Sequence, residues 1–184
     1  MRIIAGVAKG RTLKVPHSAA TRPATDLVRS ATFSILESQQ ADWSRVLDLY
    51  AGSGALGLEA LSRGAEWADF VEHSPRCCSI IKQNLEELGF SQRAHVYCIG
   101  VPKALSLLQD RYGIVFLDAP YADTTVPAVL EQLAGSTLVD ENSTVVVLHS
   151  ARRTLAPCYG RLSRVKERRH GDTGISIYQQ EALS

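Results

Sequence analysis

Several features of exported and membrane proteins are missing from this sequence of 184 residues. No stretch reaches the ~18 consecutive apolar residues that a membrane-spanning helix needs, and the short apolar start ahead of Lys9 does not match a signal peptide. The four cysteines have no Cys-x-x-Cys spacing, and the five histidines have no metal-binding spacing. The sequence therefore predicts a cytoplasmic protein with reduced thiols, no metal and no membrane partner.

Internal repeats, low-complexity segments and domain linkers are also missing. The composition, with 45% apolar and 21% charged residues, is ordinary for a globular protein. A chain of this length buries a substantial core as one unit. We therefore expect a single domain over residues 1–184 and a monomer.

The charges are distributed unevenly along the chain, although the net charge is only +1. Residues 1–45 and 151–184 each carry seven Lys/Arg against three acids, whereas residues 46–150 carry six against thirteen. An acidic middle suits a cationic cofactor, and basic ends suit a polyanion such as nucleic acid. On charge alone, the alternative of ordinary solvated faces stays open.

The middle of the chain contains a glycine loop between an apolar strand and a helix. The apolar run from Val46 to Leu49 is broken only by Asp48, and Gly52, Gly54 and Gly57 follow in a Gly-x-Gly-x-x-Gly pattern. Strand, glycine turn and helix start form the first unit of a nucleotide-binding fold. Such a loop serves a dinucleotide, S-adenosylmethionine (SAM) or merely a tight turn.

Two acids near the loop favour SAM among these three. Asp48 lies four residues before Gly52 and would repel a pyrophosphate, whereas SAM carries an ammonium and a sulfonium and no phosphate. Glu72 ends the next apolar strand, where such folds hold a ribose diol with a carboxylate. We expect Asp48 to act near the cofactor's ammonium through water or backbone groups, and Glu72 to accept from both ribose hydroxyls.

Apolar strands alternate with amphipathic helices through the rest of the chain, which predicts a Rossmann-like α/β fold with a doubly wound, mostly parallel sheet. Strands are expected near residues 45–49, 68–72, 94–99, 113–118 and 143–149. Helices are expected near residues 25–39, 55–63, 75–88, 102–109 and 125–134. In the first helix, Leu27, Ala31 and Ile35 are expected to face the core.

The two ends of the chain alternate in a way that is typical of antiparallel pairs. Residues 1–15 predict a small N-terminal β-hairpin with a basic turn. Residues 162–165 and 175–178, on either side of a glycine turn, predict an antiparallel C-terminal hairpin.

A second motif, Asp118-Ala119-Pro120-Tyr121, follows an apolar strand. It resembles the Asp/Asn-Pro-Pro-Tyr motif of methyltransferases that modify exocyclic amino groups of bases. Because the lone pair of such an amine is delocalised into the ring, two acceptors, the Asp118 carboxylate and the Ala119 carbonyl, would draw it towards the methyl donor, and Asp118 would take the proton. Pro120 would fix the backbone, and Tyr121 would stack on the base. Ala119 departs from the motif's proline but keeps the carbonyl.

With this motif the chain resembles, almost end to end, the bacterial 16S rRNA guanine-N2 methyltransferase family (RsmD type), which consists of class I SAM-dependent methyltransferases. The resemblance is carried by residues 1–6, 9–11, 13–16, 22–29, 48–65, 70–72, 118–121 and 171–173. It implies SAM as the cofactor and 16S rRNA or a 30S assembly particle as the partner. Residues 1–24 would form an RNA-contacting hairpin and loop, and residues 25–184 the catalytic core.

The expected site residues fall into three groups, of which the motif at Asp118 is the catalytic one. The cofactor-binding residues are expected to be Asp48, Ala51, Gly52, Ser53, Gly54, Leu56, Glu72, His73 and Gly100. The RNA-binding residues are expected to be Arg2, Lys9, Arg11, Lys14 and Arg22. The segment 98–101 lacks the acid with which many relatives hold the adenine amine, so that contact is not assigned.

Three other functions remain as alternatives. An adenine-N6 methyltransferase of DNA or RNA would use the same motif at Asp118, although a chain this short has no separate target-recognition domain. A non-catalytic RNA-binding assembly factor could keep the fold, but the glycine loop, Glu72 and Asp118 are intact. An NAD-dependent oxidoreductase would need a catalytic His/Lys/Tyr set that the sequence does not show.

Overall fold

The computed structural model describes residues 1–17 and 23–182. The strands are β1 (Arg45–Leu49), β2 (Trp67–Val71), β3 (Ala94–Tyr97), β4 (Ile114–Leu117), β5 (Thr144–Ser150), β6 (Cys158–Tyr159), β7 (Leu162–His170) and β8 (Thr173–Gln180). The helices are α1 (Asp26–Ser38), α2 (Ala55–Ser62), α3 (Pro75–Leu88), α4 (Val101–Leu107) and α5 (Val126–Ala134), with a 3-10 turn at Ser91–Arg93.

All eight strands form one sheet in the order β3-β2-β1-β4-β5-β8-β7-β6. The first five are parallel, and β8, β7 and β6 are added antiparallel. This arrangement confirms the predicted Rossmann-like sheet with its antiparallel C-terminal hairpin. The strand order reverses between β1 and β4, and in open α/β sheets ligands bind outside the carboxyl ends of the strands at such a point.

The sheet has a hydrophobic core on each face, because the central strands are apolar on both sides. In β4, Ile114 and Phe116 pack towards α1, α2 and α3, whereas Val115 and Leu117 pack towards α4 and α5. All four side chains are fully buried. The sheet therefore provides a rigid frame for the loops at its carboxyl end.

Local signals set the ends of α1 and α3. Ser74 caps α3, Pro75 is its first residue, and Gly89 ends it in a left-handed conformation with a φ of 75°. The Thr25 side chain caps α1 and accepts from the Val28 amide at 3.2 Å.

The prediction that Leu27 faces the core is wrong, since 65% of this residue is exposed. The buried side of α1 runs through Val28, Thr32, Ile35 and Leu36. A residue one position before Val28 is turned by about 100° from that side, as the helical period of 3.6 residues requires. Leu27 instead lies at the rim of a cavity described below.

The N-terminal segment forms a shorter hairpin than predicted, with an antiparallel bridge between Arg2 and Thr12. Backbone hydrogen bonds of 2.9 Å join residues 1 and 3 to residues 10, 11 and 13. Beyond residue 3, side chains of α2 bind the backbone groups that further strand pairing would use. The Glu59 carboxylate accepts from the amides of residues 4 and 5, each at 2.9 Å, and Ser62 bonds with residues 5, 7 and 8. Gly6 has a φ of +84°, and a Cβ there would lie 1.9 Å from the Ser62 carbonyl oxygen. Residues 4–8 are therefore held as a loop against α2.

No helix in the described part of the chain combines the length and the apolar character that crossing a membrane requires.

Candidate functional site

Three acids lie at the carboxyl end of the central strands. Asp48 is the fourth residue of β1, Glu72 follows β2 directly, and Asp118 follows β4. Because these strands are adjacent and parallel, their ends meet at one edge of the sheet. Burial is the main cause that raises the pKa of Asp48, and the negative charges of Asp118 and Glu72 raise it further. The structure thus brings these predicted residues together.

Asp48 holds the glycine loop to the strand. Its side chain is almost fully buried, and Oδ2 accepts from the Gly57 amide at 2.9 Å. Burial is the largest cause that raises the pKa of Asp48 well above its ordinary value, and the Gly57 bond opposes it. A Cβ on Gly57 would lie 2.4 Å from Phe70 Cε1, so glycine lets α2 approach the sheet. Asp48 therefore acts on the loop through a backbone group.

The loop itself runs through three residues with positive φ. Gly52 and Gly54 have φ values of 59° and 82°, and Tyr50 has a φ of 58°, which is uncommon for a residue other than glycine. A Cβ on Gly52 would meet no atom within 4 Å, so this side of the loop is open to a ligand. The Ser53 carbonyl accepts from Asn84 Nδ2 at 3.1 Å, which ties the loop to α3. Sequence analysis missed Tyr50, since a left-handed tyrosine has no sequence signature.

Glu72 joins the loop to the end of β2. Its Oε2 accepts from the Gly52 amide at 2.8 Å, and its Oε1 accepts from the Ser74 amide at 3.0 Å. His73 is exposed, with Nδ1 at 3.3 Å from Oε1. Each carboxylate oxygen has a second lone pair, so Glu72 retains acceptor capacity for a diol.

Of the other predicted cofactor-binding residues, Ala51 and Leu56 are buried and Gly100 lies in an open position. The Ala51 amide donates to the Val71 carbonyl at 3.0 Å, and Ala51 is buried. Leu56 is buried in the core, so only its backbone can face a ligand. Gly100 precedes α4, and a Cβ there would meet no atom within 4 Å. An open glycine loop surrounded by carboxylates fits a cationic nucleoside such as SAM better than a pyrophosphate.

Asp118 differs from the other two acids because nothing in residues 1–17 and 23–182 donates a hydrogen bond to its side chain. Its half-buried position raises the pKa of the carboxyl to about 7. The Ala119 carbonyl likewise accepts no backbone hydrogen bond within the described ranges. Two adjacent acceptors are thus free, which is what binding an amine requires.

Pro120 and Tyr121 complete this motif on the exposed side. The Pro120 carbonyl accepts from the Asp123 amide at 2.8 Å and closes a turn. Tyr121 is 47% exposed, and its hydroxyl lies 2.6 Å from Oγ1 of Thr173, the first residue of β8. The tyrosine ring is therefore attached to the C-terminal hairpin.

A cavity of about 280 Å³ lies beside Asp118. Its walls come from the start of α1, the Asp118 motif, β5 and the β7–β8 turn. The lining residues are Pro23, Ala24, Thr25, Leu27, Val28, Asp118, Tyr121, Leu148, His170, Gly171, Asp172 and Thr173. The sequence predicted this turn from the alternation on either side of it, but not its approach to Asp118, because a return from 50 residues away has no local signal there.

The predicted RNA-binding residues lie along the N-terminal segment, and three of them contact neighbouring elements. Arg2 Nε is 3.9 Å from an Asp26 oxygen, and Arg11 Nη2 donates to the Glu87 carbonyl at 2.7 Å. Lys14 Nζ is 2.6 Å from Glu87 Oε1. Lys9 is exposed. The remaining predicted residue, Arg22, lies outside the described residues.

The four cysteines are all free thiols. Among the described residues, no group of three or more His, Cys, Asp or Glu side chains is arranged to hold a metal ion.

Comparison with known proteins gives consistent results. Residues 1–179 match the profile of the family described as Conserved hypothetical protein 95. A Bacillus subtilis protein named as a candidate rRNA methyltransferase, YlbH, is 35% identical over 183 residues, covering 98% of this chain and 99% of the relative. Ribosomal RNA small subunit methyltransferase D of Escherichia coli is 32% identical over 182 residues, covering 99% and 91%. The solved structure of Escherichia coli yhhF, described as a candidate methyltransferase, aligns with a TM-score of 0.84 at 31% identity over 100% of this chain and 99% of that one.

Proposed function

Because the chain belongs to the Conserved hypothetical protein 95 family, which is the RsmD-type methyltransferase family, we propose that it methylates the exocyclic N2 of a guanine in 16S rRNA, with SAM as the cofactor. The substrate is 16S rRNA, free or in a 30S assembly particle, in the cytoplasm. The observation that carries the proposal is the Asp118 carboxylate, which lines a cavity and has no hydrogen-bond donor among the described residues, next to the free Ala119 carbonyl.

The residues that would hold the cofactor are those around the loop. Gly52 lies on the open side of the loop, Glu72 offers its remaining lone pairs to the ribose, and Asp48 fixes the loop through Gly57. Gly54 is buried, and its amide and carbonyl bond with Ala51 and Leu58, so it would shape the turn. SAM, when bound, supplies a methyl group already activated by the sulfonium. The protein's part is to align the amine with it.

The cavity beside Asp118 would receive the target base. The Asp118 carboxylate and the Ala119 carbonyl accept hydrogen bonds from the amine and draw its lone pair out of conjugation with the ring. Once methylated, the nitrogen becomes acidic and Asp118 takes its proton. A base inside a duplex does not reach such a cavity, so the target is unpaired or flipped out of the stack.

The raised pKa of Asp118 suits both roles. A carboxyl with a pKa of about 7 is close to the pH at which the cell operates, where a general base is most effective. A cation bound beside it favours the ionised form, which is the form that accepts from the amine.

Methyl transfer from labelled SAM to 16S rRNA and to 30S particles that lack the modification, followed by nucleoside analysis, tests the proposal. We expect N2-methylguanosine as the labelled product and a rate of labelling that is ~10²–10⁴ lower with Asp118→Ala. N6-methyladenosine would overturn the guanine assignment, and label found only in DNA would overturn the RNA assignment. Tight SAM binding without transfer to any substrate would favour a non-catalytic assembly factor.

A further inference from the structure

Two of the four Lys/Arg side chains of β7 form a row with His170 on one face of the strand, and Arg164 and Arg169 lie on the other face. Lys166, Arg168 and His170 are alternate residues of this strand, so their side chains project from the same face. Their partners in β8 are Ile177, Ile175 and Thr173. Side chains directly opposite each other in an antiparallel pair share a face. The three basic residues therefore lie on the side of the sheet where the two isoleucines pack with α1.

The contacts of the intervening residue confirm this orientation. Glu167 is opposite Ser176, and the Ser176 hydroxyl lies 3.5 Å from Glu167 Oε1 on the other face of the sheet. The Ser176 hydroxyl also meets His149 Nε2 at 2.9 Å on that face. The only acid in β7 thus points away from the basic row.

The row is available to a ligand. Arg168 is exposed, and Lys166 and His170 are half-buried. Within the described ranges none of the three forms an ion pair, and the Arg168 guanidinium donates only to the carbonyl of its neighbour Glu167, at 2.9 Å. By contrast, Lys14 of the N-terminal segment is paired with Glu87.

The row ends at the cavity beside Asp118. His170 and Thr173 line this cavity together with Asp118, and the Thr173 hydroxyl bonds with Tyr121. Alternate residues of a strand are about 6.8 Å apart, so successive basic side chains can meet successive phosphates of an unpaired strand. Asp172 is the acid at the cavity end of the row, where a base rather than a phosphate would sit.

We propose that this face of β7 binds the sugar–phosphate backbone of the RNA next to the target nucleotide, with Lys166, Arg168 and His170 contacting phosphates. This inference rests on the proposed function and adds a binding surface to the catalytic cavity. It predicts stronger phosphate contacts from the C-terminal hairpin than from the N-terminal segment, because these three side chains form no ion pair among the described residues.

The neighbouring arginines Arg168 and Arg169 give a matched test, because they lie on opposite faces of one strand and are both exposed. Binding of an unmethylated 16S rRNA transcript is measured over a range of salt concentrations. Each lost contact with a single strand lowers the slope of log affinity against log salt by about 0.7. We expect this loss for Arg168→Gln, about twice this loss for Lys166→Gln/Arg168→Gln, and none for Arg169→Gln.

Two further measurements separate RNA binding from folding and from chemistry. The dissociation constant for SAM is expected to stay unchanged in all three variants, and the RNA KM to rise in the first two with kcat unchanged. A wild-type slope in Arg168→Gln, or an equal loss in Arg169→Gln, would refute the proposed surface. Failure of the wild-type protein to methylate rRNA would instead refute the proposed function, so the two failures are distinguishable.

Discussion

Asp48 in β1 and Asp118 beside β4 are carboxylates on neighbouring parallel strands, and both have a raised pKa because of burial. They differ in what they bind. Asp48 is nearly inaccessible and accepts from the Gly57 amide, whereas Asp118 faces a cavity with no donor from the described residues. Asp48 therefore shapes the site, whereas Asp118 is available to bind and react with a substrate.

Replacing Asp118 gives the largest expected effect on activity. Asp118→Ala removes an acceptor and the base, and a positioned base contributes ~10²–10⁴ in rate. We expect kcat to fall by that factor, while the dissociation constant for SAM, measured by calorimetry, stays close to wild type. Asp118→Asn keeps an acceptor oxygen and should retain more activity than the alanine variant. Wild-type turnover in Asp118→Ala would show that Asp118 is neither the acceptor nor the base of the reaction.

Gly57→Ala tests the close packing of α2 against the sheet at the residue whose amide binds Asp48. The added methyl group would lie 2.4 Å from Phe70 Cε1, and overpacking of this kind costs about 1–3 kcal/mol. We expect this loss in the free energy of unfolding, measured with urea, together with weaker SAM binding. Gly135→Ala is the matched control, since this residue at the end of α5 has a φ of −85° and its Cβ would meet no atom closer than 3.6 Å. Equal losses in both variants would contradict the close approach of α2.

Asp48 itself is tested with two variants. Asp48→Ala leaves the buried Gly57 amide without an acceptor, which costs about 1–3 kcal/mol of unfolding free energy. Asp48→Asn keeps an acceptor oxygen and should preserve most of the stability. If the two variants lose stability equally, the hydrogen bond to Gly57 does not explain the role of Asp48.

As the pH rises, ionisation of Asp118 should increase the rate of methyl transfer and decrease the free energy of unfolding. Its pKa is about 7 in the folded protein against an ordinary 3.8, so methyl transfer should rise with pH up to about 7 as the carboxylate forms. The unfolded chain releases this proton near 3.8, so the contribution of Asp118 to the free energy of unfolding falls as pH rises from about 4 to about 7. Asp118→Asn should remove this contribution from a stability profile. A wild-type activity profile that is flat from pH 5 to 8 would contradict the shift.

Tyr121→Phe gives the smallest expected effect, because the residue is 47% exposed and loses only the hydroxyl bond to Thr173. The expected loss is about 0.5–1.5 kcal/mol of unfolding free energy. The RNA KM should stay near wild type, since the ring is retained, and should rise in Tyr121→Ala. An unchanged KM in Tyr121→Ala would mean that the ring does not stack on the base.

The parts of the fold that the sequence predicted are those set by local signals. Ser74, Pro75 and Gly89 mark both ends of α3, and the alternation of apolar runs with helical patterns determines the parallel sheet. The glycine loop and the three acids could be placed at one edge because carboxyl ends of parallel strands meet there. The roles of individual residues at that edge remain predictions.

The features that sequence analysis missed depend on long-range contacts. The N-terminal hairpin is shorter than predicted, because Glu59, 55 positions away in the sequence, accepts from the Ile4 amide, where strand pairing would have continued. The bond between Asp48 and Gly57, the left-handed Tyr50 and the approach of Thr173 to Tyr121 also depend on how distant segments pack. None of these has a signature in neighbouring residues.

The fastening of the N-terminal loop to Glu59 and Ser62 has a consequence for folding. Residues 4, 5, 7 and 8 have hydrogen-bonding partners in α2, which ends at residue 62. These bonds form only when α2 is in place, so this loop reaches its final position after the helix has formed.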